Sequence, residues 1–193
     1  MDELLEEIRG CRICADHLEA GVRPIVQASP TARILIAGQA PGRRVHESGV
    51  PFDDPSGERL REWMGVTRDE FYDPRRIAIV PMGFCFPGTG ESGDLPPRPE
   101  CAETWRERLL AELTRVELTL VIGKYAMQWH LGSGSASVTA TVKDWRSHGP
   151  DRIALPHPSP RNNIWLRRNP WFEDEVLPRL RQRVGQALES SGR

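Results

Sequence analysis

Apolar runs of strand length alternating with helical patterns predict an α/β protein. The expected form is a three-layer sandwich with a central, mostly parallel four-stranded sheet flanked by helices. Three observations lead there. Four short runs are apolar on successive positions, as in strands buried on both faces. Segments with helical spacing fill the intervals between them. Each run ends in a loop rich in Gly or Pro, so that strand ends are sharply punctuated.

The elements follow in order. Leu4, Leu5 and Ile8 lie at helical spacing and make the first segment a short amphipathic helix, ending at Gly10 just before Cys11. The run Ala32 to Gly38 sits between Pro30 and a Gly/Pro turn and is the first strand; Arg76 to Met82 and Leu118 to Gly123 are the second and third. Arg152-Ile153-Ala154-Leu155 supplies the fourth. Helical patterns occupy Ser56 to Met64, Glu100 to Leu113, Lys124 to Leu131 and Trp171 to Leu188. Phe86 to Pro99, rich in Pro and Gly, and Gly132 to Thr141, rich in Ser, Gly and Thr, read as loops.

Bulk composition narrows the function classes. A chain of 193 residues favours one domain spanning 1–193. Hydrophobic content of 38% with 27% charged residues fits a soluble globular protein, and no apolar run approaches the roughly 20 residues of a membrane helix. The segment MDELLEEIRG is acidic where an export signal would be basic and then apolar, so a cytoplasmic location is expected, nucleoid-associated in a bacterium. The net charge of −1 gives no global attraction to nucleic acid; such binding would need a local basic patch.

In open parallel sheets, ligands bind beyond the carboxyl ends of the strands. Every unusual loop here follows a strand: GQAPGRRVHESGVPF, PMGFCFPG, GKYA and HPSPRNN, in that order. They are expected to converge on one cleft. Four cysteines add a second feature. Cys11 and Cys14 form a C-x-x-C pair after the first helix, and Cys85 and Cys101 are separated by fifteen residues. Disulfides are not expected in a cytosolic protein, and a single four-thiolate site accounts for all four; zinc and an iron-sulfur cluster both accept such a set.

The order C-x-x-C, GQAPG, C-x15-C and a late histidine loop resembles the uracil-DNA glycosylase superfamily, especially its iron-sulfur-containing family-four group. The resemblance covers nearly the whole chain. It implies a [4Fe-4S] cluster on Cys11, Cys14, Cys85 and Cys101, with zinc as the alternative occupant, and a structural role for it. It further implies a DNA repair glycosylase, probed by DNA carrying a damaged or deaminated base, acting as a monomer and without a membrane partner. Such an enzyme hydrolyses the N-glycosidic bond of uracil or another deaminated base flipped into a cleft, without cutting the strand.

Residue roles follow from the matched motifs. His157 corresponds to the histidine that bonds O2 of the departing base, where preorganised donors must meet developing negative charge. Gly38, Gln39 and Ala40 match the base-pocket motif, with Gln39 in place of its acidic residue. Phe52, in the G-x-P-F segment of Gly49, Pro51 and Phe52, is the expected stacking ring. Pro158, Ser159, Pro160 and Arg161 match the segment that enters the minor groove, Arg161 being the wedge. Arg43, Arg44, Arg167 and Arg168 offer a local positive patch.

Two departures stand out. Where the family places an acidic residue that positions water, this chain has His46, with Glu47 beside it, and either is a candidate general base. Where the family reads the base edge with an asparagine, four residues before the third cysteine, this chain has Pro81. Base reading would then pass to Asn162, Asn163 or a backbone group of Met82 or Gly83. These departures keep open a damaged-DNA-binding protein of the same fold without excision activity, and, more remotely, a four-cysteine interaction module.

Overall fold

The computed structural model describes residues 1–189. Six strands run in chain order: β1 (Ile34–Ala37), β2 (Ile77–Ile79), β3 (Thr89–Gly90), β4 (Gly93–Asp94), β5 (Leu118–Ile122) and β6 (Arg152–Leu155). Four of them form a wholly parallel sheet in the order β2-β1-β5-β6, while β3 and β4 make a small antiparallel hairpin. Consecutive strands are added to one side of β1 and then to the other, which places a switch of direction between β1 and β5. Loops leaving the sheet on opposite sides of such a point open a crevice.

Among the described residues, ten α-helices surround this sheet: α1 (Asp2–Arg9), α2 (Arg43–Ser48), α3 (Pro55–Met64), α4 (Arg68–Tyr72), α5 (Pro99–Cys101), α6 (Glu107–Glu112), α7 (Gly123–Leu131), α8 (Val138–Lys143), α9 (Asn163–Arg168) and α10 (Leu177–Glu189). Side-chain alternation along the strands divides the core in two. Ile34, Ile36, Ile77 and Ile79 face a layer made by Leu60 and Met64 of α3, Met127 of α7 and Leu180 and Val184 of α10. Leu35, Ala78 and Val80 face the other layer, built by Leu4, Leu5 and Ile8 of α1 together with Trp105 and Leu109. The predicted three-layer sandwich and all four sheet strands are present.

Several segments differ from the expectation. The presumed loop Gly132 to Thr141 contains the start of α8, whose N-terminus Ser137 caps through Ala140 N–H at 3.1 Å. The Phe86 to Pro99 loop carries the β3–β4 hairpin. Helices α2, α4 and α9 also went unread, being only five or six residues long. Such lengths show too little periodicity to register.

Between α5 and α6 the chain widens into a π-helical stretch, Ala102–Arg106. Its last residue, Arg106, is fully buried and donates to the carbonyls of Val80 at 3.1 Å and Pro81 at 2.9 Å. It also donates to His130 Nε2 at 2.5 Å. This guanidinium fixes the strand-to-loop exit of β2. Burial lowers Arg106 to about 10, so it remains charged at neutral pH. The same burial, with the charge of Arg106 next, takes His130 down to about 3.

Candidate active site

A cleft of about 560 Å³ opens beyond the strand ends, lined by segments that follow β1, β2 and β6 and by the β3–β4 hairpin. Gly38, Gln39, Ala40, Phe52, Pro81, His157, Ser159, Pro160, Arg161 and Asn162 all line it. Three of the four predicted loops therefore meet. The fourth does not: α7 begins at Gly123 directly after β5, and GKYA lies outside the cleft lining.

His157 is held by the loop that follows it. The Ser159 N–H donates to His157 Nδ1 at 3.2 Å, so that nitrogen is the acceptor and the ring proton resides on Nε2. Burial pushes the imidazole below its ordinary pKa, against the opposing pull of Asp54 and Asp94. The ring is thus a neutral N–H donor. Asn162 Nδ2 donates to the His157 carbonyl at 2.7 Å, and Ser159 Oγ accepts from Arg161 N–H at 3.2 Å. From α3, Arg59 reaches the Ser159 carbonyl at 3.0 Å, the Pro158 carbonyl at 3.5 Å and Asn163 Oδ1 at 2.7 Å. Two prolines, a capped turn and one guanidinium leave this segment little freedom.

Phe52 occupies the opposite wall with its ring edge-on to Phe71, centroids 6.1 Å apart. It is the one non-glycine with positive φ, +55°, among the described residues, a conformation that costs a bulky side chain roughly 1–3 kcal/mol. The turn that imposes it closes on Gly57, where an added Cβ would lie 1.8 Å from the Phe52 carbonyl oxygen. Two residues further along this turn, Asp54 caps α3 by accepting from Gly57 N–H at 2.8 Å. Asp54 lines the cleft, as does Asp94 of the hairpin.

The two candidates for a water-positioning group lie elsewhere. His46 and Glu47 are absent from the cleft lining. The His46 ring turns outward from α2, bonding the Ala20 carbonyl through Nε2 at 3.0 Å and packing 5.9 Å from the Phe86 ring. The carbonyls of His46 and Glu47 accept from Arg23 at 2.6 and 2.8 Å. Counting along the motif located the residues correctly, but neither lines the cleft: His46 is engaged with Ala20, and Glu47 is exposed one helical turn beyond Arg43. The alternative base readers are also engaged. Met82 N–H and Gly83 N–H donate to the carbonyls of Gly38 and Gln39, each at 2.9 Å, and Asn163 accepts from Arg59 outside the cleft lining.

Arg161 is exposed at the cleft mouth, its guanidinium against Gly93, where an added Cβ would come within 2.9 Å of it. One turn on, Ile164 is 58% exposed, and Arg168 is exposed a turn further. Spacing of three and four residues places the three on one ridge. Arg43 and Arg44 line the opposite lip. Sequence reading missed Asp54, Asp94, Arg59 and Ile164. A D-P-S-G stretch at a helix start was a visible capping signal for Asp54, but nothing local showed that the cap faces the cleft.

On the other side of the sheet, Cys11, Cys14, Cys85 and Cys101 line a single small cavity with Phe84, Arg98 and Trp105. All four are free thiols. Burial pushes Cys85 up to about 11 and Cys101 up to about 12, and raises Cys14 as well. Two wall donors, Arg98 Nε and Trp105 Nε1, are buried without a hydrogen-bond partner. Among the described residues, no group of three or more His, Cys, Asp or Glu side chains is gathered so as to hold a metal ion.

An open parallel sheet with a cleft at its strand ends, lined by both His157 and Phe52, defines the chain as an α/β protein of the doubly wound type. The sequence profile of the Uracil DNA glycosylase superfamily matches residues 25–181. The chain belongs to that superfamily. It is similar to a type-4 uracil-DNA glycosylase of Archaeoglobus fulgidus, with 27% identity over 135 residues that make up 67% of this chain. The match spans 62% of that relative's length, just under two thirds. No described helix is long and apolar enough to cross a membrane.

Proposed function

We propose that the protein is a DNA glycosylase that hydrolyses the N-glycosidic bond of uracil, or of another deaminated base, flipped from DNA into the cleft. The observation that carries this reading is His157, half-buried, neutral and fixed as the Nε2–H tautomer by the Ser159 N–H. A neutral donor stabilises negative charge as it develops on the departing base, without fully protonating it. Phe52 offers a face for stacking, and a flipped base is commonly held by such rings. In place of the wedge role expected for Arg161, whose guanidinium lies against Gly93, Arg161 and Arg168 are suited to phosphates at the mouth, and exposed Ile164 is the type of apolar wedge that fills a vacated stack.

The cysteine cavity fits an iron-sulfur cluster better than a single zinc ion. Four thiols share it, and its two unpartnered N–H donors suit the sulfur atoms of a cluster. A zinc ion, with bonds of about 2.3 Å, would draw the four thiols closer together than a cluster does. Cys11, Cys14, Cys85 and Cys101 would hold the group. When bound, it would supply a structural staple between the end of α1, the exit of β2 and the end of α5.

A second reading, recognition of damage without excision, is favoured by one fact: the two expected water-positioning residues lie outside the cleft. Incubation with a labelled duplex containing one uracil, followed by alkali, separates the two. Cleavage at the uracil supports the glycosylase; retention of that duplex with no cleavage supports binding alone.

A further inference from the structure

We propose that Asp54 is the carboxylate that positions the attacking water and takes its proton. The inference deepens the glycosylase reading and rests on it. Hydrolysis needs a hydrogen-bond acceptor beside the sugar carbon, and the cleft offers few. His157 is excluded, because its Nδ1 lone pair already accepts from Ser159 and its Nε2 is a donor. His46 and Glu47 are not part of the cleft lining, and His46 Nε2 is engaged with the Ala20 carbonyl. Asp53, the immediate neighbour, is paired with Arg68 at 3.0 Å and is not part of the lining.

Two carboxylates remain, Asp54 and Asp94. Asp94 is exposed on the two-residue strand β4. Asp54 is half-buried and fixed: one carboxylate oxygen accepts from Gly57 N–H at 2.8 Å, and the other engages no protein group among the described residues. A carboxylate anchored by one oxygen presents the second in a defined direction, as placement of a nucleophile requires. Its charge also reaches His157, on which it exerts the larger of the two carboxylate effects. The two groups therefore belong to one site.

The balance of the step is simple. The glycosidic C–N bond breaks and its electron pair leaves on the base, whose developing charge meets the His157 Nε2–H. The water oxygen bonds to the sugar carbon, its proton passes to the free Asp54 oxygen, and an abasic sugar remains. Meanwhile the Asp54 charge favours the cationic character of the sugar in the transition state.

The test is single-turnover excision of uracil from duplex DNA by Asp54→Asn and Asp54→Ser, since Asn and Ser both preserve an N-cap. Both variants are expected to melt like the parent, retain uracil-containing DNA with unchanged affinity and lose about 100-fold or more in rate. Asp53→Asn should keep the parental rate. Parental rates in both Asp54 variants overturn the proposal, as does loss of activity in Asp94→Asn alone. A parent protein that cuts no deaminated base overturns the glycosylase reading and this role together, so the two failures are distinguishable.

Discussion

Replacing Gly57 by alanine sets two physical effects against each other. Gly57 lies in the first turn of α3, where alanine has the better intrinsic propensity by about 1 kcal/mol, so helix formation alone forecasts a more stable protein. Local geometry forecasts the reverse. The new Cβ would stand 1.8 Å from the Phe52 carbonyl oxygen and 2.8 Å from the Phe52 Cβ, and the nearest of these is backbone, so no side-chain rotation relieves the clash. The turn from Phe52 to Gly57 must open. Overpacking costs about 1–3 kcal/mol. Losing the Asp54 cap adds about 0.5–2 kcal/mol. After subtracting the propensity gain, Gly57→Ala is expected to destabilise by about 0.5–4 kcal/mol. Urea unfolding followed by circular dichroism measures this. Excision should suffer beyond what stability explains, because the same turn carries Phe52 and Asp54 into the cleft. A variant as stable as the parent, or more so, would show that helix propensity governs this position and that the Phe52 turn is not the constraint described.

Other outcomes follow from the same geometry. Anaerobically purified protein should be brown, and Cys85→Ala should lose colour and thermal stability together; colourless protein with stoichiometric zinc would refute the cluster. Arg161→Ala and Ile164→Ala should part company in binding. The first should reduce the salt dependence of affinity on any DNA, and the second should weaken retention of uracil-containing duplex with an unaltered salt slope; identical behaviour of the two would refute separate roles. His130 and His157 both have folded pKa values below the ordinary value near 6.5, so the folded state binds fewer protons than the unfolded chain below that pH. Stability should be full above pH 6.5 and decline as pH falls toward the folded values, about 3 for His130, by at most ~1.4 kcal/mol per pH unit per group. Urea midpoints from pH 7 to 4 should decline less steeply in His130→Gln, and excision should show no inflection near 6.5; either failure counts against the buried neutral imidazoles.

The sheet was legible because each strand is apolar on both faces and short, so that periodicity, length and flanking Gly or Pro all agreed. The ends of β1, β2 and β6 were legible for the same reason, whereas Gly38, Phe52, His157 and Arg161, all at the cleft, were singled out by the resemblance to the glycosylase superfamily. The course of α2 was not legible. His46 and Glu47 occupy the expected place along the motif, yet the six-residue helix α2 forms there and leaves both outside the cleft lining, His46 bonded to the Ala20 carbonyl and Glu47 one turn beyond Arg43. Asp54 was hidden in the opposite way. Its sequence context announces a helix cap, and only the packing of α3 against the histidine segment through Arg59 shows that the cap also borders the cleft.

A donor count around the cleft bears on base choice. Pro81 has no N–H, those of Met82 and Gly83 hold the carbonyls of Gly38 and Gln39, and Arg106 holds the carbonyls of Val80 and Pro81. The wall beyond β2 is therefore saturated and offers a base edge little to pair with. The side chain of Gln39 and the oxygen of Asn162 are the lining amide groups without a protein partner among the described residues. The Gln39 amide can turn either its oxygen or its nitrogen to the ligand, so it complements an edge with a donor or one with an acceptor. A rigid asparagine-type code would discriminate by leaving one polar group unpaired against the wrong base, and an amide that can rotate carries no such penalty. If the cleft takes a flipped base as proposed, discrimination falls to the fit of the base beside Phe52 and His157, and to the ease with which a mispaired base leaves the stack.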